Sequence, residues 1–135
     1  MPEPPTQVIT EARIFLAEDD DLVAHTIAAT LQRAGHSVHR EPDGAAAWRT
    51  LEARPDNFNL LILDVNMPGL SGIEVIQRLR VAGLYRGPIL VMSGRLGSEE
   101  IQALTAAKVD SILNKPFEVA EFLGSVRRCL AKSGA

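Results

Sequence analysis

Short apolar runs and helix-spaced apolar stripes alternate five times along this chain. Ile14-Phe15-Leu16-Ala17 is the first run, and its unbroken hydrophobicity marks a strand buried on both faces. Val23, Ile27, Leu31 and Ala34 then recur every three or four residues, with Asp20 or Asp21 placed to cap the start and Gly35 to close the end. That spacing predicts a helix. Ser37-Val38-His39 reads as a weaker strand near a sheet edge. The next helix opens at Asp43-Gly44, turns Ala47 and Leu51 inward with Trp48 along its flank, and stops at Pro55. Leu60 to Leu63, four branched apolar residues, form the central strand. Ser71 and Glu74 have the spacing of a capping box ahead of a third helix, whose stripe is Ile73, Ile76 and Leu79. Pro88 to Met92 is a fourth strand, and Ser98 is placed to cap a helix carrying Ile101, Leu104 and Ala107. Ser111-Ile112-Leu113 is a fifth strand, and Val119, Phe122, Val126 and Leu130 line the last helix.

Strands alternating with helices predict an α/β fold, a parallel sheet whose right-handed crossovers put helices on both faces. Residues 1–11 hold three prolines and no hydrophobic period, and are read as a mobile leader. Residues 12–132 are read as the folded domain and 133–135 as a tail.

Composition narrows the class. A chain of 135 residues with 46% hydrophobic and 23% charged residues is sized for one domain with a real core. The net charge of −3 and the scattered Lys and Arg offer no basic stripe, so direct contact with nucleic acid is not expected. No apolar run approaches the roughly 20 residues of a membrane span, and the start lacks a signal-peptide pattern. The single cysteine, Cys129, is read as a packing residue and cannot form an internal disulfide. These features imply no membrane insertion and a cytoplasmic location.

The chemistry sits where the strands end. The first empties into Glu18-Asp19-Asp20-Asp21, the third into Asp64, the fourth into Ser93 and the fifth into Asn114-Lys115-Pro116. In a parallel sheet these carboxyl ends share one edge, so residues far apart in sequence converge. Met67-Pro68-Gly69 turns the chain sharply after Asp64 and leaves it on a short, stiff support. Glu18, Asp19 and Asp64, crowded together, repel one another, and a hard divalent cation such as Mg²⁺ resolves that repulsion. No paired Cys or His invites a softer metal. Lys115 and Ser93 facing such a cation would hold the free oxygens of a phosphoryl group. Asp20 and Asp21 are better read as helix caps than as ligands. His25, His36 and His39 are read as solvated helix and edge-strand residues, with no acidic or Cys partner spaced to join them.

From Arg13 to Leu130 the pattern resembles the receiver domain of two-component response regulators, in its single-domain, chemotaxis-regulator-like form. Glu18-Asp19, Asp64-Val65-Asn66-Met67-Pro68-Gly69 with Gly72, Ser93-Gly94 and Lys115-Pro116-Phe117 carry the likeness, in family order and spacing. It implies a flavodoxin-like, doubly wound five-stranded sheet of order 2-1-3-4-5. It also implies that Asp64 is the phosphoacceptor, taking a phosphoryl group from the phosphohistidine of a histidine kinase or histidine phosphotransfer protein. Mg²⁺ would then be held by Asp19, Asp64 and the backbone carbonyl of Asn66, with Glu18 acting mostly through water. Ser93 and Lys115 would bond to phosphoryl oxygens, and the Lys115-Pro116 peptide would be cis. Such a domain is a signalling phosphoacceptor with slow self-dephosphorylation rather than an enzyme, and its output is a protein contact.

Two departures stand out. Ile112 occupies the position where the family usually has Tyr or Phe, whose ring carries the signal to the last strand's face. Lys108 and Val109 stand where Gly-Ala is common. Two other functions compete with the phosphoacceptor. A pseudo-receiver that works without phosphorylation is opposed by the intact acidic pocket. A metal-dependent phosphohydrolase using Asp64 as nucleophile needs an acid two residues later, and Asn66 cannot shuttle a proton at neutral pH.

Overall fold

The structure, a computed structural model, describes residues 11–133; the leader expected at the N-terminus, but for Glu11, and the last two residues of the expected tail lie outside the described residues. The elements in chain order are β1 (Arg13–Ala17), α1 (Asp21–Arg33), β2 (Ser37–Glu41), α2 (Gly44–Ala53), β3 (Leu60–Asp64), α3 (Gly72–Val81), β4 (Ile89–Ser93), α4 (Ser98–Ala106), β5 (Ser111–Asn114) and α5 (Val119–Ser133). The strands form one sheet in the order β2-β1-β3-β4-β5, and every neighbouring pair is parallel. This is the α/β architecture that the alternation predicts.

Period-two alternation divides the core between the two faces of the sheet. Ile14, Leu16, Leu60, Ile62, Leu90 and Met92 pack with α1 and α5, through Ile27, Leu31, Phe122, Val126 and Leu130. Phe15, Ala17, Leu61, Leu63, Ile89 and Val91 pack with α2, α3 and α4, through Leu51, Ile76, Leu79 and Leu104. Both β3 and β4 are buried along their whole length, which is why they carry no polar residue before their last position. Cys129 is buried in the α1/α5 layer as a packing residue.

Local capping follows the sequence closely. Asp20 accepts the Val23 N–H at 3.0 Å and Asp43 that of Ala46 at 2.8 Å. Ser71 and Glu74 form the expected reciprocal box, both bonds at 3.2 Å.

Three details differ. Ser98 is the first helical residue rather than the cap: Gly97 precedes α4, and its N–H donates to Glu100 at 2.9 Å. Ile101 is 46% exposed, so α4 rests on the sheet through Leu104. Ala34 is exposed at the end of α1, while Ala24 and, on α3, Val75 join the buried stripes. Apolar spacing locates a stripe, but the tilt of each helix on a twisted sheet decides which of its members touch. Among the described residues no helix is long and apolar enough to cross a membrane.

Candidate functional site

Parallel pairing brings the strand ends to one edge, and side-chain parity decides what meets there. Glu18 continues the alternation of Ile14 and Leu16, Asp64 that of Leu60 and Ile62, and Lys115 that of Leu113. Register completes the alignment: Ala17 lies opposite Leu63, which places Glu18 beside Asp64, and Ser93 lies opposite Asn114, one residue before Lys115. All three side chains therefore leave the sheet on the side of α1 and α5.

Their meeting is tight. The Lys115 ammonium donates to Asp64 Oδ2 at 2.8 Å and to Glu18 Oε1 at 2.5 Å. Asp64 is buried, and its other oxygen accepts the N–H of Asn66 at 3.1 Å, a local turn that stiffens the residue after the strand. Glu18 is fully buried, and its second oxygen accepts the N–H of Asp20 at 3.3 Å. Asp19 is exposed on the rim. One oxygen from each of Glu18, Asp19 and Asp64 lies within 4.8 Å of the others.

Electrostatics match that crowding. Burial first, then the hydrogen bond and charge of Asp64, push the Glu18 carboxyl from 4.5 up to about 7, while Lys115 pulls against them. Burial alone would depress the lysine, but its bonds to Asp64 and Glu18 outweigh this and hold it above the ordinary lysine value. A donor set of three carboxylates, one of them driven toward its protonated form, fits a hard divalent cation: the cation replaces a proton and satisfies the remaining oxygens. Lys115 already neutralises part of the charge, which leaves room for a second group that brings its own negative oxygens.

Ser93 has the opposite parity, following Ile89 and Val91, and is fully buried. Its hydroxyl accepts from the Arg95 N–H at 3.2 Å and donates to the Arg95 carbonyl at 3.1 Å. The hydroxyl is thus engaged with the β4–α4 loop, while the Ser93 carbonyl accepts the N–H of Lys115 at 2.7 Å. The Lys115-Pro116 peptide is cis. Ile112 is half-buried against the α2–α4 layer.

The histidines stay out of the cluster. His36 accepts the Ala12 N–H at 3.0 Å, and burial lowers its pKa. His39 does have an acidic partner, Glu41, at 2.6 Å, and its ring stacks on Phe15. Residues two apart on a strand share a face, and this brings Glu41 to His39 on β2. Spacing gave no sign of Arg40 and Arg80, whose guanidinium groups bond to backbone carbonyls far away in sequence.

Comparison with known proteins agrees with this geometry. The family model described as response regulator receiver domain matches residues 14–127. The transcriptional regulatory protein TctD of Salmonella typhimurium is 36% identical over 122 residues, which cover 90% of this chain and 53% of TctD. The chain spans about half the length of the curated relatives it matches. Among solved structures, the Vibrio cholerae chemotaxis protein CheY4 superposes with a TM-score of 0.79 at 29% identity, covering 89% of this chain and 99% of CheY4. The BeF3-activated N-terminal receiver domain of Klebsiella pneumoniae RstA gives 0.76 at 28% identity, covering 87% of this chain and 97% of that domain.

Proposed function

Since the chain belongs to the response regulator receiver family of two-component signalling, we propose that Asp64 is its phosphoacceptor, charged by the phosphohistidine of a histidine kinase or histidine phosphotransfer protein. The observation that carries this reading is the lysine bridge: Lys115 holds one oxygen of Asp64 and one of Glu18 at the carboxyl edge of the sheet. Glu18, Asp19, Asp64 and the backbone carbonyl of Asn66 would hold Mg²⁺, which, when bound, supplies charge neutralisation for the incoming phosphoryl oxygens.

The chain's own residues divide the work. Asp64 attacks through a carboxylate oxygen; the phosphorus–oxygen bond to Asp64 forms as the phosphorus–nitrogen bond to the donor imidazole breaks, and the imidazole takes up a proton. Lys115 moves from its carboxylate partners to a phosphoryl oxygen and balances the charge there. Ser93 exchanges its bonds with Arg95 for one to the phosphoryl group, which draws the β4–α4 loop toward Asp64. The output is a changed surface read by another protein or by a further part of a longer chain, in keeping with the partial coverage of TctD.

Incubation with Mg²⁺ and a small acyl phosphate tests the reading. Intact-mass measurement should show one added phosphoryl group on the wild type and none on Asp64→Asn, which keeps shape but lacks the nucleophilic carboxylate. Labelling of Asp64→Asn at the wild-type level would reject it.

A further inference from the structure

Arg40 stands on the edge strand β2, opposite Leu16 in register and outside the acidic cluster. Its Nε and Nη2 both donate to the main-chain carbonyl of Glu18, at 3.0 and 2.6 Å, and its Nη1 pairs with Asp21 at 2.9 Å. The N–H of Glu18 donates to the Glu41 carbonyl at 3.2 Å, so β2 holds the Glu18 backbone on both sides while the side chain turns inward to Lys115. The Glu18 carbonyl and the Asp19 nitrogen belong to one planar peptide. Gripping the carbonyl therefore sets the direction in which the chain enters Asp19.

We propose that Arg40 is a positioning residue for cation binding: its fork on the Glu18 carbonyl aims Asp19 and Glu18 at the same point as Asp64. This rests on the phosphoacceptor reading of the site, and it explains why an arginine stands beside Glu18 and Asp19 yet bonds to neither carboxylate. The Asp21 carboxylate is 91% exposed, so the Arg40–Asp21 pair adds little by itself and the carbonyl grip is the contact that matters. A lysine offers one point charge in place of the two-pronged fork.

Charge and positioning predict opposite signs. Arg40 places a positive charge near a cation site, so if it acted by charge alone, its removal would tighten cation binding. If it positions the loop, removal weakens binding. Mn²⁺ serves as the probe, with free Mn²⁺ followed by electron paramagnetic resonance and Mg²⁺ as competitor. Arg40→Ala should bind Mn²⁺ about tenfold more weakly, at the low end of what losing an outer partner costs a metal site. Arg40→Lys should fall between it and the wild type, and Asp21→Asn should stay within about twofold of wild type. In labelling by an acyl phosphate, Arg40→Ala should need more Mg²⁺ but reach the wild-type end point at saturation. Melting in chelator shows whether each variant is folded; Arg40→Lys, which keeps the charge and most of the stem, carries the test if Arg40→Ala does not fold. Binding by Arg40→Lys equal to wild type, or equal or tighter binding by Arg40→Ala, would overturn the proposal alone. A wild-type protein that neither binds Mn²⁺ nor becomes labelled would overturn the phosphoacceptor reading and this proposal with it.

Discussion

Gly72, the first residue of α3, sits directly on the backbone of Asp64: a side chain there would overlap the Asp64 carbonyl oxygen and stand 3.0 Å from its carbonyl carbon. The Gly72 N–H donates to the Val65 carbonyl at 3.1 Å, so the helix start is bonded to the strand end that it crowds. Gly44 makes a matching approach to the carbonyl of Leu70 from the start of α2. The loop after Asp64 is thus wedged between two glycines. Gly72→Ala should destabilise the fold by about 1–3 kcal/mol, the usual range for overpacking a rigid site, and should slow labelling of Asp64 as the strand end shifts. Urea denaturation and the labelling rate check this; unchanged stability would mean that the loop yields.

Glu18 makes the stability of the metal-free protein fall with rising pH. Its folded pKa, about 7, lies above its ordinary 4.5, so the folded state binds the extra proton between those values. The contribution is fully present below about 4.5 and is lost as pH rises through about 7. His36 tilts the other way, because burial depresses its pKa and its contribution is lost as pH falls. Glu18→Gln isolates the first effect: in chelator it should flatten the slope and be more stable than wild type at pH 8, with little difference at pH 4. Denaturant midpoints at several pH values decide it. Divalent cations should stabilise the wild type more at pH 8 than at pH 5, because the cation and the proton compete for one carboxylate.

Lys108 adopts a left-handed φ of 58° at the end of α4, where a glycine would carry no strain. Arg80, from α3, holds that turn by donating to the carbonyls of Ala107 at 2.9 Å and Lys108 at 3.3 Å, and ties it to the α3–β4 connection through the Tyr85 carbonyl at 2.8 Å. Lys108→Gly should stabilise the protein by roughly 0.5–1 kcal/mol, the steric relief of about 1–2 kcal/mol less the backbone entropy that glycine brings. A raised urea midpoint at constant slope would confirm it. Arg80→Ala should cost about 1.5–3 kcal/mol, because carbonyls bonded to a charged donor lose it.

Phosphorylation should reshape the loops after β3 and β4 more than the β5–α5 face. Ile112 is half-buried against the α2–α4 layer and has no ring to swing or hydroxyl to expose. Backbone chemical shifts with and without beryllofluoride should change most around Met67 to Gly72 and Gly94 to Ser98. Largest changes centred on Ile112, Phe122 and Val126 would show that an aliphatic side chain relays the signal as an aromatic one does.

Much of this protein could be read from its sequence, for a local reason. Apolar runs that empty into Glu18, Asp64 and Ser93 declare both the strands and the edge where they end, because a stretch buried on both faces admits no polar residue until the sheet ends. The caps at Asp20, Asp43 and Ser71 lie within three residues of their partners, so spacing alone reveals them. Parity and register, fixed only when the strands pair, decided that Glu18, Asp64 and Lys115 meet while Ser93 turns to Arg95. Tertiary structure also decided what Arg40 and Arg80 do. Their partners are main-chain carbonyls, which every residue carries, so no residue type marks them in advance; a long guanidinium finds them only when folding brings a distant turn within reach.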